Sequence, residues 1–316
     1  MKIVFLDRET VGKDIDLSSI SEQGELEIFE LTAPDEVFLR IEKAEIVITN
    51  KVVLGEKEMS EAKNLKLICV AATGYNNIDI SAAKKRNIVV ANVKSYSTES
   101  VAQLVWASIL NLQTSYLDFV QDIRLGKWQE SKTFAMLTHP IFEVFQKNLG
   151  ILGFGTIGKR IAEIGKAFGM KIFVAKRESI PVSENILQVD FETLLRESDI
   201  LTIHVPLTQQ THNLITINEL RMMKPTAMLI NTARGGIVNE ADLYFALKNK
   251  IIRSAAMDVL SQEPPRENIP LFELKNIFFT PHIAWTSQES RKRLIDGIAF
   301  NIRKFKNGEI NEISIK

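Results

Sequence analysis

The sequence predicts an α/β protein of two lobes, each a parallel sheet flanked by helices. Three observations predict it. Apolar runs of strand length alternate with helical periodicity along the whole chain, a Gly-x-Gly-x-x-Gly turn sits mid-chain, and a last helical segment follows the final strand. A glycine turn placed this late requires the residues before about 98 to form a domain of their own. The closing segment, 288–316, has no strand left to serve and is expected to pack back on that first domain. The expected division is therefore 1–98 with 288–316, and 99–287. Two crossings of the chain would make a hinge with a cleft, beside the carboxyl ends of parallel strands, where ligands bind by default.

The elements follow in order. Before Ser95, apolar runs at 2–6, 26–30, 46–49, 66–70 and 88–92 are expected as strands. The polar or helical segments between them, such as 60–64 and 80–86, are the crossovers that parallel strands need. Residues 1–7 read as a first strand, without the charged, apolar and cleavage regions of a secretion signal. A long helical pattern then runs from Ser97 to about Gly126, with Val101, Leu104, Val105, Ile109 and Leu112 on its apolar stripe. A second series of six strands is expected at 149–153, 171–175, 200–205, 227–231, 254–258 and 277–280. Helices separate most of them, at 191–196, 217–223 and 240–248, and a final helix spans about 288–307.

The first strand of the second series enters the turn Gly153-Phe-Gly155-Thr156-Ile157-Gly158, which opens an amphipathic helix. Each glycine has a physical task in a dinucleotide site. Gly153 makes the tight turn, Gly155 admits a pyrophosphate to the backbone, and Gly158 lets the helix approach the strand. The amides around Thr156 and Ile157 then face the phosphates at the positive end of the helix dipole. A glycine-rich turn alone says little. Strand, turn, helix and second strand together make a βαβ unit.

Composition narrows the function classes. Lys and Arg number 39, as do Asp and Glu, so no basic field argues for a nucleic-acid partner. Hydrophobic residues are 45% and charged residues 25%, an ordinary globular balance. No apolar stretch approaches the roughly 18 residues of a membrane span, so a cytoplasmic protein without a membrane partner is expected. The one cysteine, Cys69, excludes an intrachain disulfide framework and a cysteine-based zinc site. It lies in an apolar run and reads as a buried structural thiol. No metal is expected.

Three charged groups stand at the ends of the later strands, where a cleft is expected. Arg234 follows an apolar strand in Asn231-Thr-Ala-Arg234-Gly-Gly, and its fork suits a carboxylate. Glu263 lies in Asp258-Val-Leu-Ser-Gln-Glu263-Pro-Pro. His282 lies in Thr280-Pro-His282-Ile-Ala-Trp285 and is the natural proton donor near neutral pH. Singly, each has a plain alternative as a loop charge, a residue before prolines or a strand cap.

This ordered set, downstream of the glycine turn, resembles the D-isomer-specific 2-hydroxyacid dehydrogenase family over nearly the whole chain. Within it, Ala71-Ala-Thr-Gly-Tyr-Asn-Asn-Ile-Asp79, residues 96–103 (YSTESVAQ) and Pro281-His-Ile-Ala-Trp285 look most like the glycerate dehydrogenase/hydroxypyruvate reductase branch. The resemblance implies a Rossmann dinucleotide-binding domain inserted in a flavodoxin-like substrate domain. It implies an NAD(P)H-dependent reductase of small 2-oxo acids, hydroxypyruvate or glyoxylate foremost, working as a homodimer. Arg234 is expected to orient the keto oxygen and carboxylate, His282 to donate the proton, and Glu263 to pair with His282. Ala72, Thr73 and Gly74 resemble the loop whose amides bind the substrate carboxylate. His204, Val205, Pro206 and Thr211 resemble the wall along the adenosine and phosphates. Thr232, Ala233, Asp258 and Ala284, with Arg234 and His282, correspond to the nicotinamide side.

The chain departs from the family pattern at one place. After the second strand of the dinucleotide unit, where an NAD site carries a ribose-binding acid, stand Lys176 and Arg177. Two cations there attract a 2′-phosphate, so NADP is the preferred cofactor, with NAD possible through Glu178. The alternative function is a non-catalytic, dinucleotide-sensing regulator on the same scaffold. The Arg, Glu, His set and the lack of a disordered recruitment tail argue against it.

Overall fold

The computed structural model describes residues 1–175 and 186–310. They form two compact units, Met1–Ser97 with the segment from Trp285, and Thr98–Ala284.

The first unit begins with β1 (Lys2–Phe5), α1 (Ser18–Ser21), β2 (Glu25–Ile28), α2 (Val37–Ile41) and β3 (Ile46–Thr49). It continues through α3 (Glu56–Glu61), β4 (Leu67–Val70), α4 (Ile80–Lys85) and β5 (Val89–Asn92). All five strands are parallel, in the order β2-β1-β3-β4-β5. β3, β4 and β5 read IVIT, LICV and VVAN and are buried throughout, as a sheet covered on both faces requires. β2 reads ELEI and is largely exposed, which suits an edge. The helix expected at 60–64 lies earlier, at Glu56–Glu61. Glu58 sets its start by accepting the Gly55 amide at 2.9 Å, and the chain leaves helical geometry at Ala62. Asp7, buried at the end of β1, accepts the amides of Asn50, Lys51 and Val52 and pins the loop after β3. Burial pushes its carboxyl above the ordinary range, and those amides pull it back.

The second unit opens with α5 (Thr98–Thr114) and α6 (Tyr116–Arg124). One helix was expected here, and two are found. Ser115 takes a left-handed conformation with φ of 50°, and its hydroxyl donates to the Pro140 carbonyl at 2.8 Å. The Asn111 side chain accepts the Leu117 amide and restarts the helix. An apolar stripe cannot register a one-residue break of this kind, because the periodicity resumes after it.

The sheet follows as β6 (Asn148–Leu152), α7 (Thr156–Ala167), β7 (Lys171–Ala175), β8 (Ile186–Val189), α8 (Phe191–Glu197) and β9 (Ile200–Ile203). Then come α9 (Ile217–Met222), β10 (Met228–Asn231), α10 (Glu240–Lys248), β11 (Ser254–Met257) and β12 (Ile277–Phe279). Among the described residues seven parallel strands run β12-β11-β10-β9-β6-β7-β8, one more than expected. The additional strand, β8, has four residues at the sheet edge, none of them fully buried, so it carries no continuous apolar run. Adjacent residues feed opposite faces. Leu229 joins the cluster with Leu201, Leu243 and Leu247, while Met228 and Ile230 join that with Val105, Ile109 and Ile161.

The chain closes with α11 (Gln288–Lys306), whose Leu294, Ile295, Ile298, Ala299 and Ile302 join the core of the first unit. That core includes Phe5, Ile48, Leu67 and Cys69, and burial pushes the Cys69 thiol up to about 12, so it is inert. Among the described residues, no helix is long and apolar enough to cross a membrane.

Candidate active site

In the second unit the strand order reverses between β6 and β9, and the glycine turn follows β6 at that switch point. Gly153 has φ of +103°, and a Cβ there would lie 2.6 Å from the His204 carbonyl carbon and 2.8 Å from the Val205 nitrogen. No side chain fits. The close approach comes from the ladder itself, since the His204 amide donates to the Leu152 carbonyl at 2.7 Å. Gly158 packs equally tightly, its missing Cβ directed at the Gly153 carbonyl and Ile151. Gly155 is different, because a Cβ there would meet nothing within 4 Å. It caps α7 without a side-chain bond, so the first-turn amides of Thr156, Ile157 and Gly158 have no partner within the helix. Phosphate oxygens fit that cradle in charge and size.

The end of β9 lines one side of it. The His204 ring bonds the Thr202 hydroxyl at 2.7 Å, and burial pushes the imidazole down to about 3. A group that stays neutral through the physiological range is not an acid catalyst. Beyond Val205, the Thr211 hydroxyl donates to the Pro206 carbonyl at 2.6 Å and accepts the Thr208 amide at 2.7 Å. That side chain therefore shapes the loop.

β10 delivers Arg234. The buried Asn231 side chain accepts the Ala233 amide at 3.0 Å and donates to the Arg234 carbonyl at 2.9 Å, winding the turn tightly. The half-buried guanidinium donates to the Ala233 carbonyl at 2.7 Å. Among the described residues no carboxylate pairs with it. Gly235 has no room for a Cβ, because the Leu260 carbonyl and Ser261 lie against it. The arginine turn is thus packed on the segment that leads to Glu263.

Asp258, buried, directly follows β11, and its carboxylate organises the next turn. It accepts the Thr280 hydroxyl at 2.5 Å and the Ile283 and Ala284 amides at 2.9 Å each. The Asp258 carbonyl accepts the His282 amide at 2.8 Å. Burial raises the Asp258 carboxyl above its ordinary range, and the Thr280 hydroxyl and the two amides oppose that rise. His282 itself is held at φ of +55°, an uncommon conformation for a residue with a Cβ. Its Nδ1 lies 2.5 Å from Glu263 Oε2, while Glu263 Oε1 accepts the Leu260 amide at 2.8 Å. An ionised carboxylate only accepts, so Nδ1 carries the proton shared with it and Nε2 is left to exchange another.

The structure therefore gathers Asp258, Glu263 and His282 around one turn, with Arg234 on the neighbouring one. Thr232 is half-buried, and its hydroxyl has no partner among the described residues. With Ser108, Asp258 and Thr280 it lines a cavity of about 20 Å³, the size of one water. A larger cavity of about 460 Å³, between α10 and residues 261–271, contains none of the three charged groups. In the first unit, Ala72, Thr73 and Gly74 follow β4 as a turn tied to β5. Lys176 and Arg177 lie outside the described residues. Sequence reasoning missed the bracing roles of Asn231 and Ser100, the latter donating to the Ala284 carbonyl at 2.7 Å. Asn231 had a signal, an Asx residue shortly before a glycine pair. Ser100 had none.

Comparison with known proteins decides the family. Residues 106–284 match the model of the D-isomer specific 2-hydroxyacid dehydrogenase NAD-binding domain. The chain belongs to the D-isomer specific 2-hydroxyacid dehydrogenases. It is 39% identical over 311 residues to glycerate dehydrogenase of Methylorubrum extorquens, covering 98% of this chain and 97% of that one. It is 35% identical to hydroxypyruvate reductase of Blautia hydrogenotrophica, covering 98% of each. In structure it is similar to an acyclic imino acid reductase solved with NADPH and D-Arg, at a TM-score of 0.88, 30% identity and 98% coverage of both chains. The dehydrogenase is an oxidoreductase that acts on 2-hydroxy acids with a nicotinamide dinucleotide, and the open cradle before α7 fits that group.

Proposed function

We propose that the dehydrogenase reduces small 2-oxo acids to D-2-hydroxy acids, with hydroxypyruvate and glyoxylate as its substrates. The observation that carries this reading is the His282–Glu263 pair at 2.5 Å on a turn clamped by buried Asp258. The nicotinamide dinucleotide, when bound, supplies the hydride. His282 supplies the proton from Nε2 to the developing alkoxide, and Glu263 holds the ring in the tautomer that can do so. A carboxylate on Nδ1 also stabilises the imidazolium that donates.

Arg234, with no carboxylate partner among the described residues, is assigned the keto oxygen and carboxylate of the substrate. The Ala72–Gly74 loop is assigned the same carboxylate through its amides. Thr156, Ile157 and the three glycines are assigned the pyrophosphate. His204, Val205, Pro206 and Thr211 are assigned the adenosine side, and Thr232, Ala233, Asp258 and Ala284 the nicotinamide side. The assay that tests the reading follows absorbance at 340 nm across a panel of 2-oxo acids. Absence of turnover with every 2-oxo acid of two to four carbons would sink it. Arg234→Lys is expected to raise KM and lower kcat/KM by about tenfold or more, since lysine lacks the planar two-pronged donor. Parent-like kinetics in that variant would remove the orienting role.

NADPH is proposed as the preferred cofactor. Lys176 and Arg177 directly follow β7 in the chain, where an NAD site carries an acid. The structurally similar imino acid reductase was solved with NADPH. A lower KM for NADPH than for NADH is expected, with Lys176→Asp plus Arg177→Ser reversing the order. Exposed pairs contribute only about 1 kcal/mol each, so added salt is expected to narrow the preference. A tenfold preference of the parent for NADH would overturn the assignment.

A homodimer is proposed as well. The segment after α5 exposes the large apolar side chains of Tyr116, Leu117, Leu125, Trp128, Phe134 and Leu137, which a second chain would cover. Light scattering at micromolar concentration is expected to give twice the 35.7 kDa chain mass; the mass of a single chain would remove the dimer and leave the enzyme.

A further inference from the structure

The turn that follows β4 is aimed by a residue no part of the catalytic reading uses. Asn92, the last residue of β5, is buried, and its side-chain nitrogen donates to the Thr73 carbonyl at 2.6 Å. The Thr73 carbonyl can only accept, so the amide orientation of Asn92 follows from its partner. Next to it, the Val93 amide donates to the Ala72 carbonyl at 3.2 Å. In a trans peptide the C=O and the following N–H point in opposite directions. Drawing the Ala72 and Thr73 carbonyls toward β5 therefore turns the Thr73 and Gly74 amides away from it. Neither of those two N–H groups has an acceptor among the described residues. The Asn92 carbonyl is itself held by Asn301 of α11, at 3.0 Å, so the donor sits on a fixed support. Its other side-chain atom, Oδ1, is buried without a partner among the described residues. A strand end chosen for packing alone would carry an apolar side chain there. What the asparagine contributes is the one directed N–H.

We propose that Asn92 is a positioning residue, holding the Thr73 and Gly74 amides outward as a paired donor for the carboxylate of the 2-oxo acid. The inference rests on the reading of residues 72–74 as the carboxylate loop, and the test separates the two. Asn92→Leu removes the donor while keeping the branching at Cγ, and Asn92→Asp replaces it with an acceptor that repels the Thr73 carbonyl. The full-length enzyme, saturated with NADPH, is titrated with oxalate while the Thr73 and Gly74 amides are followed by NMR. In the parent, both amide protons are expected to move downfield. In Asn92→Leu that response is lost, KM for hydroxypyruvate rises by about tenfold or more, as expected for hydrogen bonds to a charged group, and NADPH affinity is unchanged. Asn92→Asp gives the same split should the leucine variant fold poorly. Parent amides that ignore oxalate overturn the carboxylate loop and this inference with it. Parent amides that respond, beside a folded Asn92 variant with parent-like response and KM, keep the loop and overturn the role of Asn92.

Discussion

His282→Ala is expected to lower kcat by about 10²–10⁴-fold while still binding the dinucleotide. Among the described residues of the second unit, this ring has the partner, conformation and exposure that suit proton transfer. Nδ1 is engaged by Glu263 at 2.5 Å, the side chain retains 24% of its exposure, and the backbone is held at φ of +55°. His204 cannot substitute, because its imidazole is driven down to about 3 by burial and stays neutral. The phosphate cradle before α7 is built from Gly153, Gly155 and Gly158 and does not involve His282, so the variant is expected to keep dinucleotide binding through it. Glu263→Gln is expected to fall between the parent and His282→Ala, since an amide still orients the ring and no longer stabilises its charge. Stopped-flow measurement of a single turnover checks both variants, and a His282→Ala enzyme within fivefold of the parent would end its assignment as the acid.

Asp258→Ala is expected to cost about 3–5 kcal/mol of stability in the Thr98–Ala284 unit. The cost arises from what is left behind. The Thr280 hydroxyl and the amides of Ile283 and Ala284 all donate to this buried carboxylate, and alanine leaves them without that acceptor in a partly buried turn. For a unit of this size that loss lowers the midpoint of thermal unfolding by roughly 10 °C. The same change frees the turn carrying His282, so kcat is expected to fall at temperatures where the variant is still folded. Asp258→Asn would keep one acceptor and turn an N–H toward the donors, and its losses should be intermediate. Calorimetry together with kcat at 20 °C distinguishes the outcomes. An Asp258→Ala protein that melts within 1 °C of the parent would show that the three donors find other partners.

Local rules carried much of this protein in its sequence. The runs IVIT, LICV, VVAN and MLIN are legible as strands because a sheet covered on both faces demands continuous apolar residues. The glycine turn is legible because its spacing follows an apolar strand and opens a helix, although the atoms that crowd Gly153 belong to His204 and Val205, far along the chain. Arg234, Glu263 and His282 stood out because a charged residue just after an apolar strand is conspicuous. What the linear pattern could not carry were terms set by distant neighbours. β8 is an edge strand without a buried face, so its pattern is weak until β7 lies beside it. The break at Ser115 depends on the Pro140 carbonyl, 25 residues away. Asp258 read as a cofactor contact from sequence, and only the folded chain brings Thr280, Ile283 and Ala284 onto its carboxylate. Asn92 carried no signal at all, since a strand-final asparagine becomes a directed donor only when the turn after β4 is folded against it. Periodicity and residue type report burial and local conformation, which short stretches of chain settle among themselves. The direction of a hydrogen bond is decided by the partner, and the partner arrives with the tertiary fold.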